Sequence, residues 1–210
     1  MVRLLAAVMA AVNASVWVVV SRWESPGKGA QHRVTLRAPR LIRLGFDLSL
    51  YSSLVYPVFV VVAPRWTVEG SANWSSRRDG AVQACGLVSW MVGMAVLVWA
   101  SRVLGRHLAI DGLAEDHELV IDGPYRYVRH PVYASFAAIA TGTALVFRSA
   151  VLLGLSVMLM VTGRWWANAE ERLLSSNEGF GDVYRTYAAR TGRFLPRLKH
   201  TLGSDGRSRS

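Results

Sequence analysis

The chain has 210 residues, is 52% hydrophobic with a mean hydropathy of +0.26, and carries a formal net charge of +10. That is too apolar for an ordinary soluble domain, and the positive charge is spread over several loops rather than gathered on one soluble unit. Together these features exclude a soluble nucleic-acid binder and point to an integral membrane protein whose charges sit in loops and tail.

Five apolar stretches follow in chain order: Leu4 to Val20, Leu44 to Ala63, Ala81 to Ala100, Val132 to Phe147 and Ser149 to Gly163. A helix needs about 20 apolar residues to cross the hydrocarbon of a bilayer. The second and third meet that length and the first is slightly short. It reads as an uncleaved span rather than a signal peptide, because only Arg3 precedes it and no small-x-small cleavage site follows. The fourth and fifth are shorter and separated only by Arg148, so they predict a tight helical hairpin whose second arm continues beyond Gly163. The expected fold is an all-α integral membrane protein of about five transmembrane helices.

Basic residues orient the spans. Loop one carries Arg22, Lys28, Arg33, Arg37, Arg40 and Arg43, and the tail from Arg164 onward carries nine Lys or Arg. Positive loops mark the cytoplasmic side. Loop one, loop three (101–131) and the tail are therefore expected inside, with the amino terminus and loop two outside. Asn13 and Asp47 are polar within spans, and Asp47 is placed to pair with Arg43. The lone cysteine, Cys85, reads as a small buried hydrophobe. Residues 1–100 read as three amino-terminal spans with their loops, 101–200 as the chemical region, and 201–210 as a disordered basic tail. The Ala- and Arg-rich composition suggests a bacterial plasma membrane.

Most of the unusual residues lie in loop three and the tail. "HELVIDGPYRYVRHP" predicts a short extended piece at 118–121, a turn at Asp122-Gly123-Pro124, and a helix opened by Pro131. The free N–H groups of that first turn, near Val132 and Tyr133, lie beside Arg129 and His130 and suit polar or anionic ligand groups. Beyond the hairpin, Arg164, Asn168 and Glu171 are spaced by four and three and share a helix face, with Glu170 turned away. Ser175 to Gly181 reads as a turn. Tyr184 and Tyr187, three apart, share a face of a closing helix that ends near Gly192. Tyr125, Tyr127, Tyr133, Trp165 and Trp166 also fit an aromatic belt at a membrane boundary, and Arg126, Arg129 and His130 fit simple interfacial anchors.

"ELVIDGPYRYVRHPVY", then "EE", then "FGDVYRTYAARTGRFLP" resemble the isoprenylcysteine carboxyl methyltransferase and phospholipid methyltransferase superfamily of membrane enzymes. The family pattern, Arg-His-Pro-x-Tyr-x-Gly, a hydrophobic hairpin and paired glutamates, is carried by Arg129, His130, Pro131 and Tyr133, then Glu170 and Glu171; Ser135 stands in place of the glycine. The resemblance covers roughly the last 90 to 100 residues. It implies S-adenosyl-L-methionine as cofactor, in a pocket roofed by loop three and the tail. The implied cofactor residues are His117, Leu119, Val120, Tyr125, Arg129, His130, Pro131, Val132, Tyr133, Glu170 and Glu171, with Glu171 pairing with a cationic group of the cofactor. Arg164 would face the acceptor as a planar cation for an oxyanion. His130 or Tyr125 would take a proton from a phenol, thiol or amine acceptor. No metal is implied. The implied partners are the bilayer and a lipophilic or lipidated acceptor, such as a prenylcysteine carboxylate or a small lipid. Two other readings stand beside it: an NADPH-dependent sterol or polyene reductase-like protein, and a non-enzymatic scaffold or transporter subunit.

Overall fold

The computed structural model describes residues 2–23, 32–67, 79–105, 112–114 and 119–197. His117 and the basic tail at 201–210 lie outside the described residues. Five apolar helices form the body: α1 (Val2–Trp23), α2 (Arg40–Val62), α4 (Asp79–Leu104), α5 (Pro131–Phe147) and α6 (Ala150–Leu174). Four are long and apolar enough to cross a membrane, and α5 is the shorter fifth. A one-turn α3 (Pro64–Thr67) follows α2, and α7 (Asp182–Arg190) closes the described chain. Two short strands, β1 (His32–Thr35) and β2 (Gly112–Ala114), pair antiparallel. This ribbon ties loop one to loop three, so both emerge on one face, as the five-span count requires.

The hairpin turns on two residues. Arg148 adopts the left-handed conformation (φ 52°, ψ 38°), the Ser149 amide donates back to the Ala144 carbonyl at 3.0 Å, and the Ser149 hydroxyl accepts from the Leu152 amide at 3.4 Å. One cap thus ends α5 and starts α6. The second arm continues past Gly163 to Leu174, as expected. The 17 residues of α5 span about 25 Å. Counted the same distance from the turn, α6 reaches Trp166, level with Pro131. Glu170 and Glu171 therefore stand one turn beyond the start of α5, clear of the apolar span.

Hydrocarbon gives no hydrophobic drive between helices, so close packing and polar links must hold them together. The tightest pair is α4 with α5. A Cβ on Gly142 would lie 2.6 Å from both the Gly86 carbonyl oxygen and the Trp90 amide nitrogen, and one on Gly93 would lie 3.0 Å from the Ser135 carbonyl oxygen. Ser135 is buried, and its hydroxyl donates to the Val132 carbonyl at 2.7 Å. Gly93 of α4 lies against the Ser135 carbonyl at this crossing. Ser89 and Gln83 donate to the carbonyls of Ala138 and Val146 at 3.0 Å each. Deeper in the bundle, Pro57 interrupts the α2 ladder. One turn away, Asn13 donates to the Leu54 carbonyl at 2.8 Å and accepts from the Trp90 indole at 3.2 Å, linking α1, α2 and α4.

Residues 119–121 form no regular element, and Leu119 packs into the apolar cluster around Leu174 and Tyr184. Two expectations, for Cys85 and Trp166, are corrected. Cys85 is exposed on α4, since α5 takes the glycine face of that helix. Trp166 is buried in the core rather than placed in a belt, because the inward face of α6 carries it. Asp47 pairs with Arg43 at 3.9 Å near the mouth of α2 and is half exposed, as anticipated.

Replacing Gly142 by Val should lower the unfolding midpoint in detergent, by a destabilisation of about 1–3 kcal/mol or more, since backbone atoms cannot yield to the new Cβ. Gly154→Ala, where nothing lies within 4 Å of the added Cβ, should leave the midpoint unchanged or raise it. Equal midpoints for both variants would refute the close-crossing account.

Candidate active site

The site is built where the start of α5, the end of α6 and the tail meet. Loop three approaches through a 3-10 turn, Gly123–Arg126, at the expected Asp-Gly-Pro sequence. Gly123 has φ +58°, and a Cβ there would strike Val103 of α4 at 2.7 Å. Turn and helix are thus locked together, and Tyr125 is driven inward, 7% exposed. The chain then leaves the turn at Tyr127 and forms a single parallel bridge, Val128 with Gly192, before Pro131 opens α5.

Residues 127–130 pair with the tail. The Gly192 amide donates to the Tyr127 carbonyl at 3.2 Å. The Arg129 amide donates to the Gly192 carbonyl at 2.9 Å, and the His130 amide to the Arg193 carbonyl at 3.0 Å. Gly192 is demanded by the turn that follows, where a Cβ would collide with the Leu195 carbonyl. The Tyr187 hydroxyl adds a 2.6 Å bond to the Tyr125 carbonyl.

One carboxylate oxygen gathers these pieces. Glu171 Oε1 accepts from Arg129 Nε at 3.0 Å, faces His130 Nε2 at 3.0 Å and lies 3.3 Å from Arg193 Nε. Arg129 also donates through Nη1 to the carbonyls of Ala188 at 2.9 Å and Thr191 at 2.7 Å, so it closes the carboxy end of α7. Arg193 donates through Nη2 to Asn168 Oδ1 at 2.5 Å. On its other side His130 Nδ1 lies 3.6 Å from Glu170 Oε2, and the Tyr133 hydroxyl bonds to Glu170. The His130 ring is buried between Tyr133 (centroids 5.6 Å apart) and Phe194 (5.8 Å).

Three donors in this region stand buried without a hydrogen-bond partner among the described residues: the hydroxyls of Tyr125 and Tyr184, and Nε of Arg193, which faces Glu171 out of hydrogen-bond alignment. Burial raises the pKa of both phenols, with Glu170 adding to the shift at Tyr125 and Glu171 at Tyr184. Burial also pushes Tyr187 up to about 12, against opposing effects from Thr191 and Arg129.

Of the expected residues, Tyr125, Arg129, His130, Pro131, Tyr133, Glu170 and Glu171 come together here. Val132 sits in the first turn of α5, and Val120 lies in the loop before the 3-10 turn. Leu119 packs beside Leu174 under α7. Arg164 does not join the cluster; it is exposed two turns below Glu171 on α6. Arg193 takes the cationic place beside Asn168 and Glu171. It was not anticipated, nor was the part played by Tyr184. The only sequence signal for Arg193 was its position next to Gly192 in "TGRFLP", and no helical spacing relates it to Glu171.

A family model described as phospholipid methyltransferase matches residues 82–179, which contain α5, α6 and all of this cluster except the tail. The matched segment is a little under half of the chain, and the similarity is to that family over this region. Protein-S-isoprenylcysteine O-methyltransferase of Schizosaccharomyces pombe is 36% identical over 93 residues, covering 43% of this chain and 38% of that protein. The chain thus aligns with well under half the length of this relative. The family model's match ends at residue 179, before α7.

The raised tyrosines give a sign for alkaline pH. The folded protein favours the neutral phenols, so their contribution is complete below pH 10 and is lost as pH rises toward 12. The unfolding midpoint should therefore hold up to about pH 10 and then fall, together with the rise of phenolate absorbance. In Tyr187→Phe the fall should be smaller. A native midpoint that is flat to pH 12 would contradict the buried setting of these phenols.

Proposed function

We propose that the chain is an S-adenosylmethionine-dependent methyltransferase acting on a lipophilic acceptor at the cytoplasmic face of the membrane. The observation that carries this reading is the meeting of His130 with both Glu170 and Glu171, at 3.6 and 3.0 Å, inside the region that matches the superfamily. The donor set fits the cofactor's chemistry. Buried hydroxyls without partners and a carboxylate with spare acceptor capacity suit a ligand that carries both charges and several polar atoms.

Leu119 and Val120 of loop three, together with Tyr125 and the His130–Tyr133 stretch, would hold the cofactor from one side. Arg129 acts through the tail it clasps. Glu171 Oε1 already faces Arg129, His130 and Arg193, so Glu170, 36% exposed at its side chain, is the better carboxylate for a cation on the ligand. The bound cofactor supplies an electrophilic methyl group on a sulfonium. The protein's part is mainly positioning and exclusion of water. Tyr133, Phe194 and the core ring of Phe46, 6.1 Å from Tyr133, wall the site on the apolar side. A carboxylate acceptor arrives ionised and needs no base. For a phenol, thiol or amine, His130 is the group placed to take the proton; Tyr125 is held as a neutral phenol and can only donate.

Arg164 projects from the same helix nearer the membrane, where it is exposed to an acceptor arriving sideways from the bilayer. An oxyanion on a lipid-soluble molecule is the group it suits. The S. pombe relative is named for an isoprenylcysteine acceptor. For this chain the reading extends to lipophilic carboxylates and small lipids as a class.

Titration calorimetry of the detergent-solubilised protein should show binding of S-adenosylhomocysteine and none of NADPH. Glu170→Gln should weaken that binding about tenfold or more, the loss expected for one charge-assisted bond. Binding of NADPH alone would replace this reading with a reductase, and binding of neither would remove the cofactor site.

A further inference from the structure

The exposed edge of the tail carries a group of side chains that the site does not use. Val128 forms a parallel bridge with Gly192. Arg126 and Arg190 each stand two residues earlier, so the end of the 3-10 turn and the end of α7 lie side by side. Both arginines are exposed, and neither makes a side-chain hydrogen bond or ion pair among the described residues. Arg197 reaches back to the Ala189 carbonyl at the same end of α7. The carboxylates of these elements, Asp122 and Asp182, stand at the opposite ends, where turn and helix begin. Among the three cations two large apolar residues are open to solvent: Tyr127 is 54% exposed and Leu195 78%. The Leu195 carbonyl folds back against Gly192, whose amide donates to the Tyr127 carbonyl, so the two residues stay close.

The height of this edge is set by α5. Its 17 residues span about 25 Å, less than the about 30 Å of hydrocarbon in a bilayer. Pro131 therefore starts at or inside the hydrocarbon boundary, and residues 127–130, with the tail paired to them, fall in the headgroup layer. An apolar pair rimmed by arginines at that depth fits an anionic leaflet: the ring and the aliphatic side chain enter the boundary, and the guanidiniums meet phosphates. We propose that the edge formed by Arg126, Tyr127, Arg190, Leu195 and Arg197 is a docking surface for anionic phospholipid headgroups, which fasten the tail over the site. Phe194 against His130 and Arg193 against Glu171 belong to the same segment, so lipid held at Leu195 steadies both. The proposal goes beyond the methyltransferase reading: it needs only that the helices span a membrane, whatever ligand lies beneath the tail.

The test uses the full chain in nanodiscs of phosphatidylcholine and in nanodiscs that also contain phosphatidylglycerol. Amide exchange in peptides covering 190–197 should be slower by about fivefold or more in the anionic discs, the gain expected from one basic residue at a charged leaflet. Raising the salt concentration should remove the difference. The double variant Arg126→Gln, Arg190→Gln should exchange alike in both discs and match the native protein in phosphatidylcholine. Neither side chain has a partner to lose among the described residues, so the fold is kept. A nitroxide on Leu195→Cys, in a Cys85→Ser background, should collide more with oxygen than with a water-soluble nickel chelate in the anionic discs. Three results would overturn the proposal: equal exchange of the native protein in both discs, an anionic-lipid effect that survives in the double variant, or a nitroxide that stays open to the nickel chelate. Protection that instead follows the number of copies per disc would overturn it too, and would assign the edge to a second copy of the chain.

Discussion

Everything polar at the mouth of the hairpin is organised by one carboxylate oxygen, Glu171 Oε1. It stands one turn beyond the apolar span of α6 and meets groups from two other places in the chain: Arg129 and His130 before α5, and Arg193 in the tail. The two guanidiniums are only 13% and 20% exposed at the side chain. Charges this far from water are tolerated only when paired and hydrogen-bonded, so the groups hold each other in place. Removing the carboxylate would leave two cations with no anion between them and release the tail from the mouth of the hairpin.

The membrane part of the fold serves that meeting. The hairpin brings the first turn of α5 beside the last turns of α6 because both arms turn on Arg148 and Ser149. The glycine-lined crossing of α4 and α5 fixes the height of Pro131, and Gly123 against Val103 sets how loop three leaves α4. An error of one residue in any of these contacts would move His130 away from the glutamates. Ser135 is buried at this crossing and satisfies its own hydroxyl within its turn.

Much of this was legible in the sequence, and the limits have physical causes. Apolar length and the lone Arg148 marked the spans and hairpin, and Pro131 marked the start of α5. The Arg-His-Pro-x-Tyr and Glu-Glu elements marked the cluster. Helical spacing put Asn168 and Glu171 on one face, and Arg193 bridges those two residues. That same spacing could not say where the long Arg164 side chain would go, and it is exposed. Arg193 was invisible because its partner lies 22 residues earlier on a different element, joined by a tail whose course is set by pairing with 127–130. Trp166 and Cys85 were misplaced because a helix apolar on all sides does not reveal which side meets lipid and which meets protein.

The most direct test is amide hydrogen exchange, resolved to short peptides, in native protein and Glu171→Gln. If the carboxylate holds the cluster together, exchange should speed up in the peptides covering 127–130 and 182–197. The middle of α5 should keep its native protection. Unchanged protection of both segments in the glutamine variant would show that backbone pairing alone docks the tail, and would contradict the organising role of Glu171.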